Sequence, residues 1–264
     1  MEKADYKNWV PLILVVVSVT GAVLVGVLWW IFGIKTVFAS TVVNKMLFVI
    51  LGIAFWGCVI FALWSIIARC AFSYTGKKKL AKKIVEGTAK YVVLPEGGTG
   101  LDVGCGSGAL TIACAKANPQ GKMTGIDRWS WEYPAFNQAL CINNAAAEGV
   151  KNTEFIPGDA VKLDFPDESF DAVTSNYVYH NISGVNKQQL LEETLRVLKK
   201  GGTFAIHDVM AKRNYGDMQN FVQKLKDEGY EKVELIDTTR GLFMSPGEAL
   251  ILGVAGSKLL IGRK

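Results

Sequence analysis

Cysteine is scarce in this sequence of 264 residues. The five cysteines are odd in number and widely spaced, and none belongs to a Cys-x-x-Cys pair. This pattern excludes a disulfide scaffold and a zinc cage, so no metal is expected and a reducing compartment fits. An excess of one charge is also missing after the first 70 residues, where 24 basic side chains accompany 22 acidic ones. A nucleic-acid partner is therefore not expected, because domains that bind nucleic acids are strongly basic.

Long hydrophobic runs, in contrast, are present near the N-terminus. Residues Trp9–Ile34 and Met46–Ala68 contain no charged side chain. Each run exceeds the roughly 20 residues that a helix needs to cross about 30 Å of hydrocarbon. A cleaved signal peptide is the alternative for the first run, but its apolar core is usually only about 7–15 residues long. The sequence therefore predicts an N-terminal transmembrane hairpin within residues 1–74, with spans at about 9–34 and 46–68.

Basic residues indicate the orientation of this hairpin. Arg69 and a lysine cluster at residues 77–83 follow the second span, whereas the loop between the spans offers only Lys35 and Lys45. Positively charged flanks stay on the cytoplasmic side. We therefore expect a multi-pass membrane protein with two spans, whose remaining domain, residues 75–264, is cytoplasmic. A second, compatible interpretation of the lysine cluster is contact with anionic lipid.

From residue 75 the pattern alternates short apolar strands with longer amphipathic stretches. Such alternation is typical of an α/β fold with a parallel sheet and helices on its faces. The predicted strands cover residues 99–103, 122–126, 153–156, 170–175, 203–206, 232–236 and 258–261. The predicted helices cover residues 78–91, 108–118, 133–148, 187–198 and 217–228.

A glycine-rich turn ends the first predicted strand. Residues 101–108 are Leu-Asp-Val-Gly-Cys-Gly-Ser-Gly, and these glycines let a ligand approach the backbone closely. The helix that follows offers free N–H groups at its start. Asp127 ends the second strand, 19 residues beyond Gly108, where a carboxylate can accept hydrogen bonds from both hydroxyls of a ribose. Together these features predict a nucleoside-containing ligand.

The spacing of the glycines limits the kind of nucleotide. A dinucleotide site requires Gly-x-Gly-x-x-Gly, but here the third glycine comes one position earlier and residue 109 is alanine. The sequence has no Gly-x-x-x-x-Gly-Lys-Ser/Thr loop for a triphosphate either. Asp102, two positions before the first glycine, suits a ligand with a positive end better than a pyrophosphate. S-adenosylmethionine carries an ammonium and a sulfonium group and no phosphate.

Four motifs carry a resemblance to a known family. They are Asp-Val-Gly-Cys-Gly-Ser-Gly at 102–108, Gly-Ile-Asp at 125–127, Gly-Asp-Ala at 158–160 with Phe-Pro-Asp-Glu-Ser-Phe-Asp at 165–171, and Arg-Val-Leu-Lys-Lys-Gly-Gly at 196–202. In this order and spacing, residues 90–210 resemble class I S-adenosylmethionine-dependent methyltransferases, and most of all the small-molecule branch that includes quinone-biosynthesis methyltransferases. Lys200 departs from that branch, which usually has proline before Gly-Gly, and this affects a turn rather than the ligand.

The resemblance implies a Rossmann-like fold with a seven-stranded, mostly parallel sheet, and S-adenosylmethionine as the cofactor. It places the glycine-rich turn around the methionine part of the cofactor, Asp127 on its ribose with Arg128 beside it, and Asn176 near the reactive methyl group. It places Asp159 and Ala160 against the adenine. The residues implied to bind the cofactor are Asp102, Gly104, Cys105, Gly106, Ser107, Gly108, Asp127, Arg128, Asp159, Ala160 and Asn176.

Methyl transfer requires a base only when the acceptor atom arrives protonated. His180 follows the fourth predicted strand and Asp208 the fifth, and both places face the ligand crevice in open α/β sheets. A histidine ordinarily titrates near neutrality, so His180 is predicted as a catalytic base, with packing or capping of a loop as the alternative. Asp208 is predicted to contact the acceptor, with a solvated carboxylate as the alternative. Its neighbour His207 points the other way in an extended strand.

Three more side chains near the predicted crevice have two interpretations each. Tyr177 and Tyr179 either line the pocket, where they could attract the sulfonium, or are half-buried residues of the sheet. Cys105 lies near the start of a helix, which favours a reactive thiolate, but no basic residue is close in sequence. We therefore expect Cys105 to serve packing.

The expected protein is a membrane-anchored S-adenosylmethionine-dependent methyltransferase that acts on a small, lipophilic acceptor at the cytoplasmic membrane face. A soluble acceptor and a non-catalytic S-adenosylmethionine-binding membrane module are the alternatives, while the glycine spacing disfavours a nicotinamide-dependent oxidoreductase. The apolar run at 249–255 is too short to span a bilayer. It is predicted as core between the last two strands, and the alternatives are a cover over the acceptor pocket or a contact with the membrane.

Overall fold

The computed structural model describes residues 3–35, 37–130 and 134–264. These residues divide into two compact units. The hairpin unit is Asn8–Ala81, and the sheet unit combines the described residues before Asn8 with Lys82–Lys264. Both ends of the hairpin unit therefore continue along the chain into the sheet unit.

Two long apolar helices make up the hairpin unit. Helix α1 (Leu12–Leu28) continues as a π-helical turn (Trp29–Ile34), and α2 covers Thr41–Ala71. By length and composition both helical segments can cross a membrane, at 23 and 31 residues. α2 begins earlier than the predicted span because the Ser40 side chain accepts a hydrogen bond from a backbone N–H of its first turn.

The two helices of the hairpin unit are joined by a few polar contacts. Ser18 Oγ and Ser65 Oγ share a hydrogen bond of 3.0 Å, and Trp29 Nε1 donates to the Phe48 carbonyl at 2.9 Å. Most other side chains of the unit are apolar and exposed, and Ile53 reaches 71% exposure. A continuous apolar surface of this kind marks contact with a membrane or a partner.

Seven strands in the described part of the chain form one sheet, in the order β3-β2-β1-β4-β5-β7-β6. They are β1 (Thr99–Val103), β2 (Lys122–Asp127), β3 (Thr153–Pro157), β4 (Phe170–Asn176), β5 (Leu198–Val209), β6 (Glu231–Asp237) and β7 (Ser257–Arg263). β7 runs antiparallel to β5 and β6, and the other neighbouring pairs are parallel. The predicted seven-stranded, mostly parallel sheet is confirmed.

Helices of the sheet unit connect the strands. They are α3 (Leu80–Ala89), which begins at the boundary of the hairpin unit, α4 (Ala109–Ala117), α5 (Gln138–Ala147), α6 (Lys187–Arg196), α7 (Lys212–Tyr215), α8 (Met218–Asp227) and α9 (Pro246–Ile251). Five of these helices match the predicted ones with shorter ends, and α7 and α9 are additional. The predicted start of α5 at residue 133 lies outside the described residues.

β5 is longer than its apolar part suggests. It covers 12 residues, of which only 203–206 were predicted from hydrophobicity. Leu198 pairs with Phe170, and the register shifts before Thr203 pairs with Ala172. Because neighbouring parallel strands end at the same edge, the residues that follow β1, β2, β4 and β5 come together at the carboxyl edge of the sheet.

Candidate functional site

The glycine loop, residues Gly104–Gly108, connects β1 to α4 at the carboxyl edge of the sheet. The amides of Gly104 and Cys105 donate to the Ile126 carbonyl, at 2.8 and 2.9 Å, so the loop is tied to β2. The three glycines have φ angles of +75°, +55° and +79°. Other residues rarely adopt such angles, so the loop conformation depends on glycine.

The space around each glycine of the loop differs. A Cβ on Gly104 would lie 2.4 Å from Val178, and one on Gly108 would lie 2.9 Å from Phe155. A Cβ on Gly106 would meet nothing within 4 Å. Gly104 and Gly108 are thus required for packing, whereas the open side of Gly106 leaves room for a ligand.

Asp127 lies at the end of β2, next to the glycine loop. Its Oδ2 accepts a hydrogen bond of 2.9 Å from the Gly106 amide, and its Oδ1 accepts one of 2.8 Å from the Trp129 amide. A carboxylate has about four acceptor positions, so each oxygen can accept one more hydrogen bond. The structure therefore brings together the predicted ribose carboxylate and the predicted loop.

Trp129 is a residue of this site that the sequence did not reveal. Its Nε1 donates to the Gly106 carbonyl at 3.0 Å, while its amide donates to Asp127. Its φ angle is +40°, which is rare for a bulky side chain and costs conformational energy. Trp129 thus holds the carboxylate and the loop together. No sequence pattern signals this role, because it depends on a strained backbone.

Asp102 lies inside β1 and is 1% exposed. The Thr111 hydroxyl donates to its Oδ2 at 2.6 Å. Burial raises the pKa of Asp102 to about 7, although the hydrogen bond from Thr111 acts in the opposite direction. A buried carboxylate of this kind is stabilised in its ionised form by a cationic group nearby.

Arg128, Asp159 and Ala160 differ in their surroundings. Arg128 and Asp159 are exposed, and Asp159 Oδ1 accepts a hydrogen bond of 2.9 Å from the Val161 amide. Ala160 is 8% exposed and belongs to the hydrophobic core. Asp159 and Ala160 follow the end of β3, the strand beside β2, so the role of these residues towards an adenine stays a prediction.

Cys105 and Ser107 complete the loop. Burial raises the pKa of the Cys105 thiol well above its ordinary value, which favours packing over nucleophilic chemistry. The Ser107 carbonyl accepts a hydrogen bond of 3.0 Å from Asn144 Nδ2. Asn144 also contacts the N-terminal segment, since its Oδ1 accepts a hydrogen bond of 2.7 Å from the Asp5 amide. No sequence pattern signals the role of Asn144, because these contacts span 37 and 139 positions.

The side chains of His180 and Asp208 meet at the carboxyl edge. His180 Nδ1 lies 2.5 Å from Asp208 Oδ1. Asp208 is fully buried and also accepts from the amides of Tyr179, at 2.8 Å, and Val209, at 2.6 Å. Asp208 is therefore placed to orient His180 rather than to contact an acceptor itself. The His180 side chain is 27% exposed, so a ligand can reach it.

His207 and Asn176 form a second buried contact. His207 Nδ1 lies 2.8 Å from Asn176 Oδ1, and its Nε2 lies 3.0 Å from Thr238 Oγ1. Burial lowers the pKa of His207 to about 3, so its ring is neutral at physiological pH. His207 consequently fixes Asn176 at the end of β4.

The two tyrosines have different surroundings. Tyr179 is fully buried, and its hydroxyl shares a hydrogen bond of 2.6 Å with Thr194, so it is a core residue. Tyr177 is half-buried, with a φ angle of +56°. Its ring lies 5.9 Å from the His180 ring and 4.7 Å from the His207 ring. Tyr177 therefore belongs to the surroundings of the histidine–aspartate pair.

These features define a class of site. A glycine loop lies beside the carboxylate that ends the next strand, and a histidine–aspartate pair lies at the same edge of an α/β sheet. In the described residues, no group of three or more His, Cys, Asp or Glu side chains is placed to hold a metal ion.

The family follows from comparison with known proteins. A family model described as a methyltransferase domain matches residues 94–240, which is more than half of the chain. The chain therefore belongs to the methyltransferase-domain family, and the predicted methyltransferase is confirmed.

Curated relatives are similar over part of their length. A demethylmenaquinone methyltransferase from Bacillus licheniformis is 35% identical over 125 residues, which are 47% of this chain and 50% of that protein. The enzyme of the same name from Listeria welshimeri is 35% identical over 136 residues, 49% of this chain and 52% of that protein. The chain thus spans about half the length of the curated relatives it matches.

Solved structures confirm the fold. The [4+2]-cyclase SpnF has a TM-score of 0.53 at 22% identity, covering 70% of this chain and 81% of its own. A geranyl diphosphate methyltransferase in complex with GPP and sinefungin has a TM-score of 0.54 at 14% identity, covering 72% and 80%. The Haemonchus contortus phosphoethanolamine N-methyltransferase 2, in complex with S-adenosyl-L-methionine, has a TM-score of 0.51 at 16% identity, covering 76% and 56%.

Proposed function

We propose that this chain is a membrane-anchored methyltransferase that uses S-adenosylmethionine to methylate a small, lipophilic acceptor at the cytoplasmic membrane face. The single observation that carries the proposal is the link between Asp127 and the glycine loop. Asp127 accepts a hydrogen bond from the Gly106 amide at 2.9 Å, and the side of Gly106 where a Cβ would lie is open. A carboxylate that can accept hydrogen bonds from ribose hydroxyls thus lies beside open space, which supports the proposal.

The residues of the site fit S-adenosylmethionine. Asp102 is buried, and the groups that shift its pKa in the described structure include no cation. The ammonium and sulfonium groups of the cofactor are cations, and no phosphate has to be accommodated. An ionised Asp102 would disfavour a phosphate near the glycine loop, so its charge favours the sulfonium cofactor over a dinucleotide.

His180 supplies the proton acceptor in this proposal. Bound S-adenosylmethionine supplies an electrophilic methyl group. Because Asp208 accepts from Nδ1 of His180, Nε2 carries the lone pair that removes a proton from the acceptor. The ring of Tyr177 lies beside His180, with 5.9 Å between the ring centroids. Such a base contributes about 10²–10⁴-fold to the rate when the nucleophile arrives protonated.

The names of the relatives suggest the class of acceptor. Two of them are demethylmenaquinone methyltransferases, and the shared region includes about half of this chain. A hydroquinone ring must lose a proton before or during methylation, which matches the histidine–aspartate pair. We therefore propose an acceptor of the quinol type with an apolar tail.

Anchoring rests on the hairpin unit. α1 with its π-helical turn and α2 are long and apolar enough to cross a membrane. The N-terminal segment before the hairpin belongs to the sheet unit, where the Asp5 amide donates to Asn144 at 2.7 Å. Chain segments at both ends of the hairpin therefore belong to one unit, which supports two spans with both ends on the same side. The lysines at 77–83 favour the cytoplasmic side.

Binding and transfer test the proposal separately. Calorimetry with S-adenosylhomocysteine on the full chain in nanodiscs should show binding that Asp127→Ala weakens strongly. Asp227→Ala, an exposed carboxylate on α8, is the matched control and should bind normally. Undiminished binding by Asp127→Ala would refute the site.

Transfer is measured with labelled S-adenosylmethionine and a demethylated quinol that carries an isoprenoid tail. Label in the extracted quinol supports the acceptor class. Label found only in water-soluble products of a membrane extract would refute a lipophilic acceptor. Normal cofactor binding without transfer to any acceptor would favour the non-catalytic module.

A further inference from the structure

We propose that the N-terminal segment of the sheet unit positions the glycine loop for cofactor binding, and that it does so through the side chain of Asn144. This segment, residues 3–7, is here called the strap. The inference rests on the proposed cofactor site and adds a support on the side of the loop that α5 contacts. None of the four sequence motifs includes the strap or Asn144.

Asn144 joins the strap to the loop. It lies on α5 and is 2% exposed. Its Oδ1 accepts a hydrogen bond of 2.7 Å from the Asp5 amide, and its Nδ2 donates to the Asp5 carbonyl at 3.1 Å. Nδ2 also donates to the Ser107 carbonyl at 3.0 Å. An asparagine side chain has two N–H donors, so both donors of Asn144 are used, one for the strap and one for the loop.

The bond to the loop depends on the bonds to the strap. Without the strap, Oδ1 and one N–H of Asn144 would be buried and would lack the partners that they have in the structure. Buried polar groups without partners are unfavourable, so the side chain would turn towards other partners or admit water. Either change weakens the bond to the Ser107 carbonyl. One side chain thus couples the strap to the glycine loop.

The glycine loop requires such support. Gly106 and Gly108 flank Ser107, and glycine restricts the backbone less than any other residue. Cys141, one turn before Asn144 on α5, donates from its Sγ to the Gly106 carbonyl at 3.2 Å. The two α5 side chains therefore hold two consecutive carbonyls of the loop. Because a peptide group is planar, a fixed carbonyl also fixes the direction of the amide that follows it.

The strap presents the Asp5 backbone in a defined orientation. Tyr6 is 6% exposed, so the strap is packed against the sheet unit. Asp5 Oδ1 accepts a hydrogen bond of 3.0 Å from the Lys7 amide, and its Oδ2 lies 2.5 Å from Lys7 Nζ. These contacts close a turn in which Lys7 has a φ angle of +56°. The hairpin unit begins at the next residue, Asn8, so the segment that supports the loop also leads into the proposed anchor.

The coupling has to work in both directions. If the strap favours the loop conformation that binds the cofactor, the bound cofactor favours the docked strap by the same factor. A contact that only stabilises the fold has no such effect. Protection of the strap by a bound ligand therefore distinguishes a positioning role from a structural one.

Hydrogen–deuterium exchange of the full chain in nanodiscs measures this protection. Saturating S-adenosylhomocysteine should slow exchange in the strap about tenfold, with little change in β6. Asn144→Ala should abolish the protection, and Asn143→Ala, at an exposed neighbour on α5, should keep it. Absence of protection in wild type, or equal slowing in β6, would overturn the proposal. Protection that persists in Asn144→Ala would also overturn it, because the ligand would then act on the strap without Asn144.

Calorimetry tests the contact from the side of the strap. Asp5→Pro removes the amide N–H that donates to Asn144, whereas the matched control Asp5→Ala keeps this N–H and removes only an exposed side chain. Asp5→Pro should raise the Kd for S-adenosylhomocysteine about tenfold, as expected for the loss of one buried hydrogen bond. Asp5→Ala should change it by less than about twofold. Equal effects of the two substitutions would overturn the role of the backbone contact.

Failure of this inference differs from failure of the proposed cofactor site. Wild-type Kd in Asp5→Pro and Asn144→Ala, with binding lost in Asp127→Ala, would overturn the strap and leave the site intact. Wild-type Kd in all three variants would refute the site as well. If Asn144→Ala does not fold, the two Asp5 variants decide the question, because Asp5 is exposed.

Discussion

Asp102→Asn should stabilise the free protein at alkaline pH while weakening cofactor binding. Burial raises the pKa of Asp102 to about 7, so the ionised carboxylate is unfavourable in the folded state above that pH. Asparagine keeps the shape of the side chain, and its carbonyl can still accept the hydrogen bond from Thr111. Asparagine carries no charge, so the variant avoids the unfavourable ionisation in the free protein. For the same reason it loses the attraction for a cationic ligand.

The size of the stability difference follows from the linkage between proton binding and folding. The unfolded carboxyl ionises near 3.8 and the folded one near 7, so the folded state holds an extra proton between these values. Wild-type stability therefore falls as pH rises through this window, by about 1.4 kcal/mol per pH unit. Between pH 5 and pH 7, the variant should gain about 2 kcal/mol relative to wild type, equivalent to about 4–8 °C in Tm for a domain of this size.

His207 affects the stability of the folded state in the opposite direction over part of the same pH range. Its pKa falls from 6.5 to about 3, so it contributes stability that is present above pH 6.5 and lost on acidification. The difference between the two proteins isolates Asp102, because His207 is common to both.

Thermal unfolding of the ligand-free full chain should be followed from pH 5 to pH 8 for wild type and variant. A Tm difference that grows with pH supports the reasoning. A difference that stays constant across this range would refute the claim that Asp102 is neutral in the free protein. In calorimetry, wild type should release a proton on binding S-adenosylhomocysteine below pH 7, and the variant should not.

Four further substitutions test the loop and the base. His180→Ala and Asp208→Asn should each lower kcat by about 10²–10⁴-fold with unchanged S-adenosylhomocysteine affinity, and loss of affinity instead would remove the proposed base. Gly108→Ala should lower the free energy of unfolding by about 3 kcal/mol, because it adds a steric clash to backbone strain. Gly149→Ala, at a φ of +70° with open space around it, is the control and should lower it by about 1 kcal/mol. Equal losses in denaturant unfolding would contradict the packing role of Gly108. Trp129→Phe removes the indole hydrogen bond to the loop and should weaken S-adenosylhomocysteine binding about fivefold, and unchanged affinity would show that the bond is dispensable.

The sequence predicts the sheet well where apolar residues are bounded by turn residues. β1 has the predicted bounds, because glycines precede and follow a short apolar run. β5 extends beyond its prediction, since its polar start is held by pairing with β4 rather than by its own hydrophobicity. α9 is too short for a periodic pattern, although Ser245 and Glu248 have the spacing of a capping box and Pro246 stands at its first position. That signal could have revealed the helix.

The candidate site also has parts that the sequence predicts and parts that it does not. The glycine loop and Asp127 lie close in sequence on consecutive strands, so their spacing is sufficient to predict their meeting. His180 and Asp208 are 28 positions apart, and their contact depends on the register between β4 and β5. The positive φ angle of Trp129 is held by tertiary contacts, and no local preference for a tryptophan predicts it.

His180 and His207 have different surroundings, and the alternation of side chains along β5 explains the difference. Successive residues of β5 point to opposite sides, so His207 is directed to Asn176 while Asp208 is directed to His180. His207 is fully buried, and a ring with a pKa of about 3 cannot gain a proton during turnover near neutral pH. His180 keeps partial exposure and has a buried carboxylate as its partner. His207 is therefore unsuited to act as a base, and the proposed base at this edge is His180.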